Sequence, residues 1–234
     1  MPRRFYSSTL PDSGTVVLDG PEAHHLIHVL RAEVGEIAEV FDGQGLVASV
    51  RVTSVRKRDV ELQILATHQD PAIGRAVILG TAVPKGDRFE WLVEKATELG
   101  VTRLVPLVTA RSVVDPRDSK LDKLRQAVIT ACKQSGRNHV MHVAPVTAWG
   151  DFVSGELSQH TSFVAHPGPD AEQVSHGLFE RLSSVAFAVG PEGGFADNEV
   201  AMALAVGARR ISLGPLILRI ETAALALAAC ARLG

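Results

Sequence analysis

The most informative run of residues for the fold is Val185-Ala186-Phe187-Ala188-Val189-Gly190-Pro191-Glu192-Gly193-Gly194-Phe195. Its apolar, partly β-branched beginning is typical of a strand buried in the middle of a sheet. The glycines that follow predict a tight turn whose backbone N–H groups stay open to a ligand. α/β proteins bind ligands at the carboxyl ends of parallel strands, which favours a ligand-binding loop here. The glycine content is equally compatible with a turn that has only a structural role.

Strands and helices are predicted to alternate around this stretch. Capping by Asp87 with Glu90 predicts the start of one helix, and Gly100 its end. A second helix is predicted to start at Ser119. The remaining predictions are strands over 77–83, 104–108, 162–165, 185–189 and 210–213, and helices over 199–206 and 221–232. Such alternation predicts an α/β fold with a parallel sheet covered on both faces.

The first 70 residues have a different pattern, rich in short β segments. Strands are predicted over 15–18, 37–41, 46–55 and 60–65, with a tight hairpin at Asp42-Gly43-Gln44-Gly45. A helix starting near Pro21 is predicted to bury Leu26, Val29 and Leu30 on one face. The polar stretch 68–74, which contains Pro71 and Gly74, predicts a boundary between domains of residues 1–70 and 74–234.

Composition excludes several classes of protein. The 234 residues are 46% hydrophobic and 21% charged, which is ordinary for a globular chain and excludes wholesale disorder. Two cysteines cannot form a disulfide framework, so we expect a reducing, cytoplasmic environment. No apolar run reaches the roughly 18 residues that span a bilayer, and we expect neither a membrane segment nor a secretion signal.

Positive charge is concentrated in the middle of the chain. Residues 71–147 carry 12 Lys/Arg against 7 Asp/Glu, or +5, although the whole chain has a net charge of −2. Such a block can attract a polyanion through counterion release. By itself, the charge favours the plainer interpretation, which is that these cations cover solvated helix faces.

Three histidines, His24, His25 and His28, raise the question of a metal site. Residues four apart share a helix face, but no Glu lies between them and no cysteine is near, so we expect no metal. A polar helix edge that touches nucleic acid fits better. The glycine spacing in 190–194 also fits neither the dinucleotide nor the phosphate-loop fingerprint, which disfavours a Rossmann oxidoreductase.

A second candidate loop reads Leu213-Gly214-Pro215-Leu216-Ile217-Leu218-Arg219-Ile220-Glu221-Thr222-Ala223. It too is predicted to leave a strand and enter a helix. Arg219 and Glu221 stand among apolar residues, where charges are costly unless they are paired or used. A capping carboxylate beside a surface arginine is the plainer alternative. Two such loops at one edge of a sheet favour the functional interpretation.

These two loops, together with Glu199, resemble the 16S ribosomal RNA uracil-N3 methyltransferase family of the SPOUT superfamily, whose members use S-adenosylmethionine. Three further stretches agree in the expected order: His24-His25-Leu26 with Val29-Leu30-Arg31, Lys85 through Val101, and Ala131 through Arg137. The resemblance implies a PUA-like N-terminal β-barrel that grips RNA. It also implies a C-terminal trefoil knot, a rare exception to the rule of unknotted chains, and a homodimer.

The resemblance also implies a set of site residues. Those implied for S-adenosyl-L-methionine are His166, Gly190, Glu192, Gly193, Gly194, Leu213, Gly214, Leu218 and Thr222. Arg219 would stabilise negative charge on the uracil, and Glu221 would accept the proton or, preferably, hold Arg219 in place. The residues expected to contact 16S ribosomal RNA of the small ribosomal subunit are Arg3, Arg4, His25, Arg31, Lys85, Arg88, Arg111 and Arg137.

The sequence departs from the family at Leu216, Ile220 and Ala196, where the family usually has Arg, Thr and a capping Ser; Asp197 could replace the last as the cap. The loss of polar groups beside Arg219 keeps two alternatives open. One is a SPOUT methyltransferase acting elsewhere, for example on a ribose 2′-hydroxyl of transfer RNA. The other is a non-catalytic RNA-binding protein of the same fold.

Overall fold

The computed structural model describes residues 3–72, 74–113, 121–168, 170–175 and 177–233. The chain divides into two compact units. The first comprises the residues up to 72 together with 132–140, and the second comprises 73–131 and the residues from 141 onward. The inclusion of 132–140 in the first unit was not anticipated from the sequence. The domain limits 1–70 and 74–234 stay a prediction.

The first unit is built on a five-stranded sheet in the order β1-β3-β4-β5-β2. Its strands are β1 (Arg4–Tyr6), β2 (Thr15–Leu18), β3 (Ile37–Phe41), β4 (Leu46–Val55) and β5 (Val60–Gln69). Strands β1 and β3 pair in parallel, and the other pairs are antiparallel. Predicted strands correspond to β2 through β5, whereas the short β1 was missed because it offers too few residues to show alternation.

The helix of the first unit is not α-helical throughout, and the predicted burial of Val29 is wrong for that reason. Helix α1 (Gly20–His24) continues as a π-helical turn over His25–Val29. Leu26 is buried in the core, as predicted, but Val29 is 61% exposed. The wider π-helical turn rotates the residues after it relative to an α-helix, so an apolar face counted with α-helical spacing fails at Val29.

The second unit contains a parallel sheet in the order β11-β13-β10-β12-β6-β7-β8, with β9 pairing with β7. Its strands are β6 (Ala76–Ala82), β7 (Arg103–Val108), β8 (His142–Val143), β9 (Thr147–Ala148), β10 (Thr161–Ala165), β11 (Glu172–Gln173), β12 (Ser184–Val189) and β13 (Arg209–Ser212). Every pair in this sheet is parallel, which confirms the predicted α/β fold. The trefoil knot stays a prediction.

Helices accompany the parallel strands. They are α2 (Arg88–Glu98), α3 (Leu121–Ser135), α4 (Trp149–Phe152), which continues as a π-helical turn over Val153–Leu157, α5 (Asp197–Ala205) and α6 (Ile220–Leu233). The predicted start of a helix at Ser119 lies outside the described residues. Gly100, at φ +78°, follows α2 as predicted. The predicted capping box is wrong, since Asp87 makes no side-chain cap bond and Glu90 pairs with Lys123 at 2.6 Å.

The hydrophobic core of the second unit packs against the central strands of the parallel sheet. Strands β6, β10 and β12 are almost wholly buried, and Phe152, Phe195 and Val200 share a cluster with side chains of β10 and β12. Strand β12 lies between β10 and β6, and β10 lies between β12 and β13. Because these strands run in parallel, the loops after β10, β12 and β13 emerge at one edge of the sheet.

Candidate active site

Three loops at the carboxyl ends of β10, β12 and β13 enclose a cleft of about 410 Å³. We call residues 190–195 the glycine-rich loop and residues 213–218 the leucine-rich loop. Eight of the nine predicted cofactor residues line the cleft: His166, Gly190, Glu192, Gly193, Gly194, Leu213, Gly214 and Leu218. The ninth, Thr222, is exposed and is absent from the lining.

The glycine-rich loop is anchored by an aromatic side chain. Phe195 is 1% exposed, and its ring lies 4.5 Å from that of Trp149. A Cβ atom placed on Gly190 would come within 3.0 Å of the Phe195 ring, so the backbone at this position has to approach the ring without a side chain. The packing of Gly190 against the buried Phe195 ring therefore fixes the conformation of this loop.

Glu199 also holds the end of the glycine-rich loop, through backbone hydrogen bonds. Its buried carboxylate accepts hydrogen bonds from the backbone N–H of Ala110 through Oε1 and of Ala196 through Oε2, both at 2.8 Å. No side chain caps α5 at Ala196, so Asp197 does not replace the missing Ser. The carboxylate of Glu199 supplies half of a capping box instead. Its position three residues after Ala196 was the sequence signal for this role.

Arg111 also binds the glycine-rich loop. Its Nη1 donates to the carbonyl oxygen of Gly193 at 2.7 Å. The exposed side chain was predicted to contact RNA, but it already has a partner inside the unit. A contact between residues 82 positions apart leaves no periodic signal in a sequence, which is why this partner was not predicted.

The leucine-rich loop is arranged quite differently. Gly214 has φ +108°, a conformation that glycine adopts without strain. Leu216 is 77% exposed and Ile217 fully exposed, although both also line the cleft. The other position where the family is usually polar, Ile220, is 3% exposed and lines the cleft with an apolar side chain.

His166 completes the lining from the loop after β10. Its backbone N–H donates to the carbonyl oxygen of Ile211 at 3.3 Å. Burial lowers the pKa of His166, and the positive charge of Arg210 lowers it further. Arg210 is itself held by Asp170, at 2.5 Å. A neutral imidazole is therefore favoured in the cleft, where a cationic ligand would be repelled by its protonated form.

The side chains of the two predicted catalytic residues do not pair with each other. Arg219 is exposed, and its side chain has no hydrogen bond or ion pair with any residue in the described part of the chain. Glu221 is buried, and its Oε1 accepts a hydrogen bond from Nη1 of Arg88 at 3.4 Å. The expectation that Glu221 holds Arg219 is therefore corrected. The partner of Glu221 is Arg88, which sequence reasoning had placed among the RNA contacts.

Among the cations predicted for RNA in the first unit, Arg4 is buried and used internally. It donates to the carbonyl oxygen of Cys132 at 3.1 Å and to the side chain of Asn138, and its guanidinium lies 4.9 Å from the Phe41 ring centroid. A buried guanidinium with these partners cannot reach a phosphate, so Arg4 is removed from the candidate RNA contacts.

The other predicted RNA residues of the first unit are more accessible. Arg31 is exposed, and Arg3 is exposed but paired with Glu36 at 2.6 Å. His25 is half-buried, with its ring 6.2 Å from that of Phe5. Arg137 is half-buried and donates to the carbonyl oxygen of His139. In the second unit, Lys85 is exposed, and its side chain has no partner among the residues that the structure describes.

Within the described ranges, no cluster of three or more His, Cys, Asp or Glu side chains is arranged to hold a metal ion. His24 and His28 face each other with ring centroids 4.7 Å apart, but no third ligand joins them there. The described helices also include none that combines the length and apolar character needed to cross a bilayer.

Comparison with known proteins gives the family. Residues 72–232 match the family described as RNA methyltransferase domain, and residues 18–65 match the one described as RNA methyltransferase PUA domain. A ribosomal RNA small subunit methyltransferase E from Bacillus subtilis is 31% identical, with 96% of this chain and 93% of the relative aligned. The chain belongs to the ribosomal RNA small subunit methyltransferase E family.

Other members of the methyltransferase E family agree. The protein of that name from Synechocystis is 33% identical, over 89% of this chain and 70% of the relative. The crystal structure of the Neisseria gonorrhoeae protein, which is bound to S-adenosyl methionine, superposes with a TM-score of 0.88 at 32% identity and covers 98% of this chain and 95% of that one. The resemblance seen in the sequence, to an RNA methyltransferase with a PUA-like domain, is confirmed.

Proposed function

We propose that the protein transfers a methyl group from S-adenosylmethionine to N3 of a uridine in the 16S ribosomal RNA of the small ribosomal subunit. One observation carries the proposal: the glycine-rich and leucine-rich loops and His166 line a single cleft at the carboxyl edge of a parallel sheet. The names of the relatives supply the substrate class.

The cleft fits the proposed cofactor. Its volume of about 410 Å³ is within the range of small-molecule sites, and its lining is mainly backbone and aliphatic side chains. Backbone N–H and C=O groups of Gly190, Leu213 and Gly214 can recognise an adenine edge. The carboxylate of Glu192 and the neutral form of His166 suit a ligand that carries a sulfonium charge.

The bound cofactor supplies an electrophilic methyl group, and the chain has to prepare the acceptor. Uracil N3–H is a weak acid, and negative charge spreads to the neighbouring carbonyl oxygens as its proton leaves. The exposed guanidinium of Arg219, beside the cleft residue Leu218, is our candidate to stabilise that charge. Glu221 is our candidate to accept the proton. Alignment of N3 with the methyl group contributes the rest of the acceleration.

The RNA contacts that we retain are the exposed Arg31 and Lys85. We also retain Arg3, His25 and Arg137 of the first unit, although each already contacts another residue of that unit. Such cations position the phosphate backbone, while the choice of one uridine requires its base to leave the stack. Affinity for ribosomal RNA should therefore fall steeply with added salt. An affinity that barely changes between low and physiological salt would contradict this assignment.

We further propose that the protein acts in the cytoplasm as a homodimer with the knotted topology of its superfamily. The fully exposed Ile217 and the neighbouring Leu216 support a partner subunit, because apolar side chains beside a binding cleft are commonly covered in an assembly. Sedimentation of the full chain tests this state, and a monomer at micromolar concentration would contradict it.

The decisive experiment incubates small ribosomal subunits, or 16S ribosomal RNA alone, with the protein and S-adenosylmethionine carrying a labelled methyl group. Nucleoside mass spectrometry should then find the label as N3-methyluridine. Label on a ribose 2′-hydroxyl would replace the proposal with another SPOUT activity. If calorimetry shows that the cofactor binds but the RNA gains no label, or if the cofactor does not bind at all, a non-catalytic RNA-binding protein would be favoured. Omission of the protein is the control.

A further inference from the structure

The guanidinium of Arg88 joins two carboxylates from separate elements of the second unit. Its Nη1 lies 3.4 Å from Oε1 of Glu221, at the start of α6, and its Nη2 lies 3.6 Å from Oε1 of Glu192, in the glycine-rich loop. Its Nε donates to the carbonyl oxygen of Lys85 at 3.1 Å, which fixes the plane of the group. One side chain thus ties α2 to the cleft residue Glu192 and to the buried carboxylate of Glu221.

The position of Arg88 in its helix is electrostatically unfavourable. It is the first residue of α2, where the helix dipole disfavours a cation. Its side chain is only 36% exposed, and two carboxylates already share its charge. A guanidinium neutralised in this way attracts phosphate weakly, whereas Lys85, three residues earlier, is exposed.

Glu221 keeps one oxygen unused. The residue is 6% exposed, Oε1 faces Arg88, and the buried Oε2 has no hydrogen-bond partner among the described residues. A buried carboxylate oxygen without a donor is costly, so the unpartnered Oε2 needs an explanation. The arrangement is that of an acceptor held ready for an N–H or O–H donor that is not part of the chain.

We propose that Arg88 is a positioning residue for methyl transfer, which fixes Glu221 and the Glu192 end of the glycine-rich loop in one arrangement, and that it is not a phosphate contact. The inference rests on the proposed function and deepens it. Arginine is required because its planar fork reaches both carboxylates at once, whereas the single ammonium group of a lysine reaches one.

The test compares Arg88→Ala and Arg88→Lys with two matched controls. Arg181→Ala removes another arginine of the same unit, which is exposed, and Lys85→Ala removes the neighbouring exposed cation. With saturating cofactor and RNA, single-turnover methylation by Arg88→Ala should fall roughly ten- to a hundredfold. Arg88→Lys should recover little of that rate. A phosphate contact predicts the opposite, since lysine binds phosphate well.

Salt dependence separates the two roles. In Arg88→Ala, the slope of log affinity for ribosomal RNA against log salt should stay at the wild-type value, whereas Lys85→Ala should reduce it by about one. A wild-type methylation rate in Arg88→Ala, or a slope reduced as in Lys85→Ala, would overturn the inference. Should Arg88→Ala fail to fold, Arg88→Lys carries the rate measurement, because lysine would keep a phosphate contact but cannot join both carboxylates; a wild-type rate in Arg88→Lys would then overturn the inference.

A double-mutant cycle tests whether Arg88 acts through Glu221. The rate losses of Arg88→Ala and Glu221→Gln should not add in the combined variant, because each breaks the same contact. Additive losses would also overturn the inference. Failure of the proposed function looks different: wild-type protein would then bind no S-adenosylmethionine or leave ribosomal RNA unmethylated. If only the inference fails, wild type is active and Arg88→Ala behaves like Arg181→Ala.

Discussion

The glycine-rich loop and the leucine-rich loop line the same cleft but are held in opposite ways. The first is anchored by buried Phe195, by the carboxylate of Glu199 and by a hydrogen bond from Arg111. The second presents Leu216 and Ile217 to solvent. One side of the cleft is therefore fixed by buried contacts, whereas the other side has apolar side chains exposed to solvent. Substitutions in the two loops should therefore affect different properties.

The largest effect is expected at the anchor of the glycine-rich loop. Phe195→Ala should lower the free energy of unfolding by roughly 3–5 kcal/mol, because it leaves a cavity against Trp149. Cofactor affinity should fall with it, since the backbone of Gly190 packs on the ring. Urea denaturation and calorimetry measure both quantities. A loss below 1 kcal/mol would contradict the idea that this loop is anchored by its core contact.

Arg219→Ala should affect the rate and leave stability alone. Loss of a group that stabilises negative charge in the transition state should lower single-turnover methylation by about 100- to 1000-fold. Affinity for S-adenosylmethionine and the unfolding midpoint should stay at wild-type values, because the side chain is exposed and unpaired among the described residues. Arg181→Ala is the matched control. A near wild-type rate would remove Arg219 from the mechanism.

Glu199→Gln tests the second anchor of the glycine-rich loop. The amide keeps the shape of the carboxylate but can accept from only one of the two backbone N–H groups, of Ala110 and Ala196. We expect the free energy of unfolding to fall by about 1–3 kcal/mol. The exposed Asp151→Asn serves as a control in the same unit. Equal stability of the two variants would show that Glu199 does not hold the loop.

A smaller, pH-dependent effect is expected at His166. Because burial lowers the pKa of His166 in the folded protein, the stability that its neutral form contributes is present above the unfolded value of about 6.5 and is lost as pH falls through the folded pKa. Protonation would also repel the sulfonium charge. Affinity for S-adenosylmethionine should weaken a few-fold from pH 7 to pH 5.

The control for this pH effect is a pair of variants. His166→Asn should flatten the pH dependence of cofactor affinity, whereas His68→Asn, an exposed histidine of the first unit, should keep the wild-type profile. Identical profiles for wild type and His166→Asn would show that another group carries the effect.

The smallest effect on stability is expected in the leucine-rich loop. Ile217→Ala should change the free energy of unfolding by no more than about 0.5 kcal/mol, because the side chain is fully exposed. The same variant should weaken subunit association if this loop meets a partner. Chemical denaturation at low protein concentration, beside sedimentation, separates the two outcomes. A loss comparable to that of Phe195→Ala would abolish the contrast between the loops.

Local patterns predicted most of the fold. Strands β2 to β5, the central parallel strands and the end of α2 at Gly100 all follow from alternation, buried apolar runs and turn residues. The short strands β1, β8, β9 and β11 have too few residues to carry such a pattern. The π-helical turn at His25–Val29 also escaped prediction, because its spacing differs from that of an α-helix.

The candidate site divides in the same way. The two loops could be predicted from residue patterns alone, because glycine turns after buried strands are local features with a fixed place in a parallel sheet. His166 was predicted only through the resemblance to the family. Which charged side chains pair with each other could be read from the folded arrangement and not from the residue pattern. Arg88 reaches Glu221 across 133 positions and Arg111 reaches Gly193 across 82, while Arg4 is withdrawn into the core. Such pairings depend on how the elements pack, and packing brings together residues whose spacing in the chain carries no period.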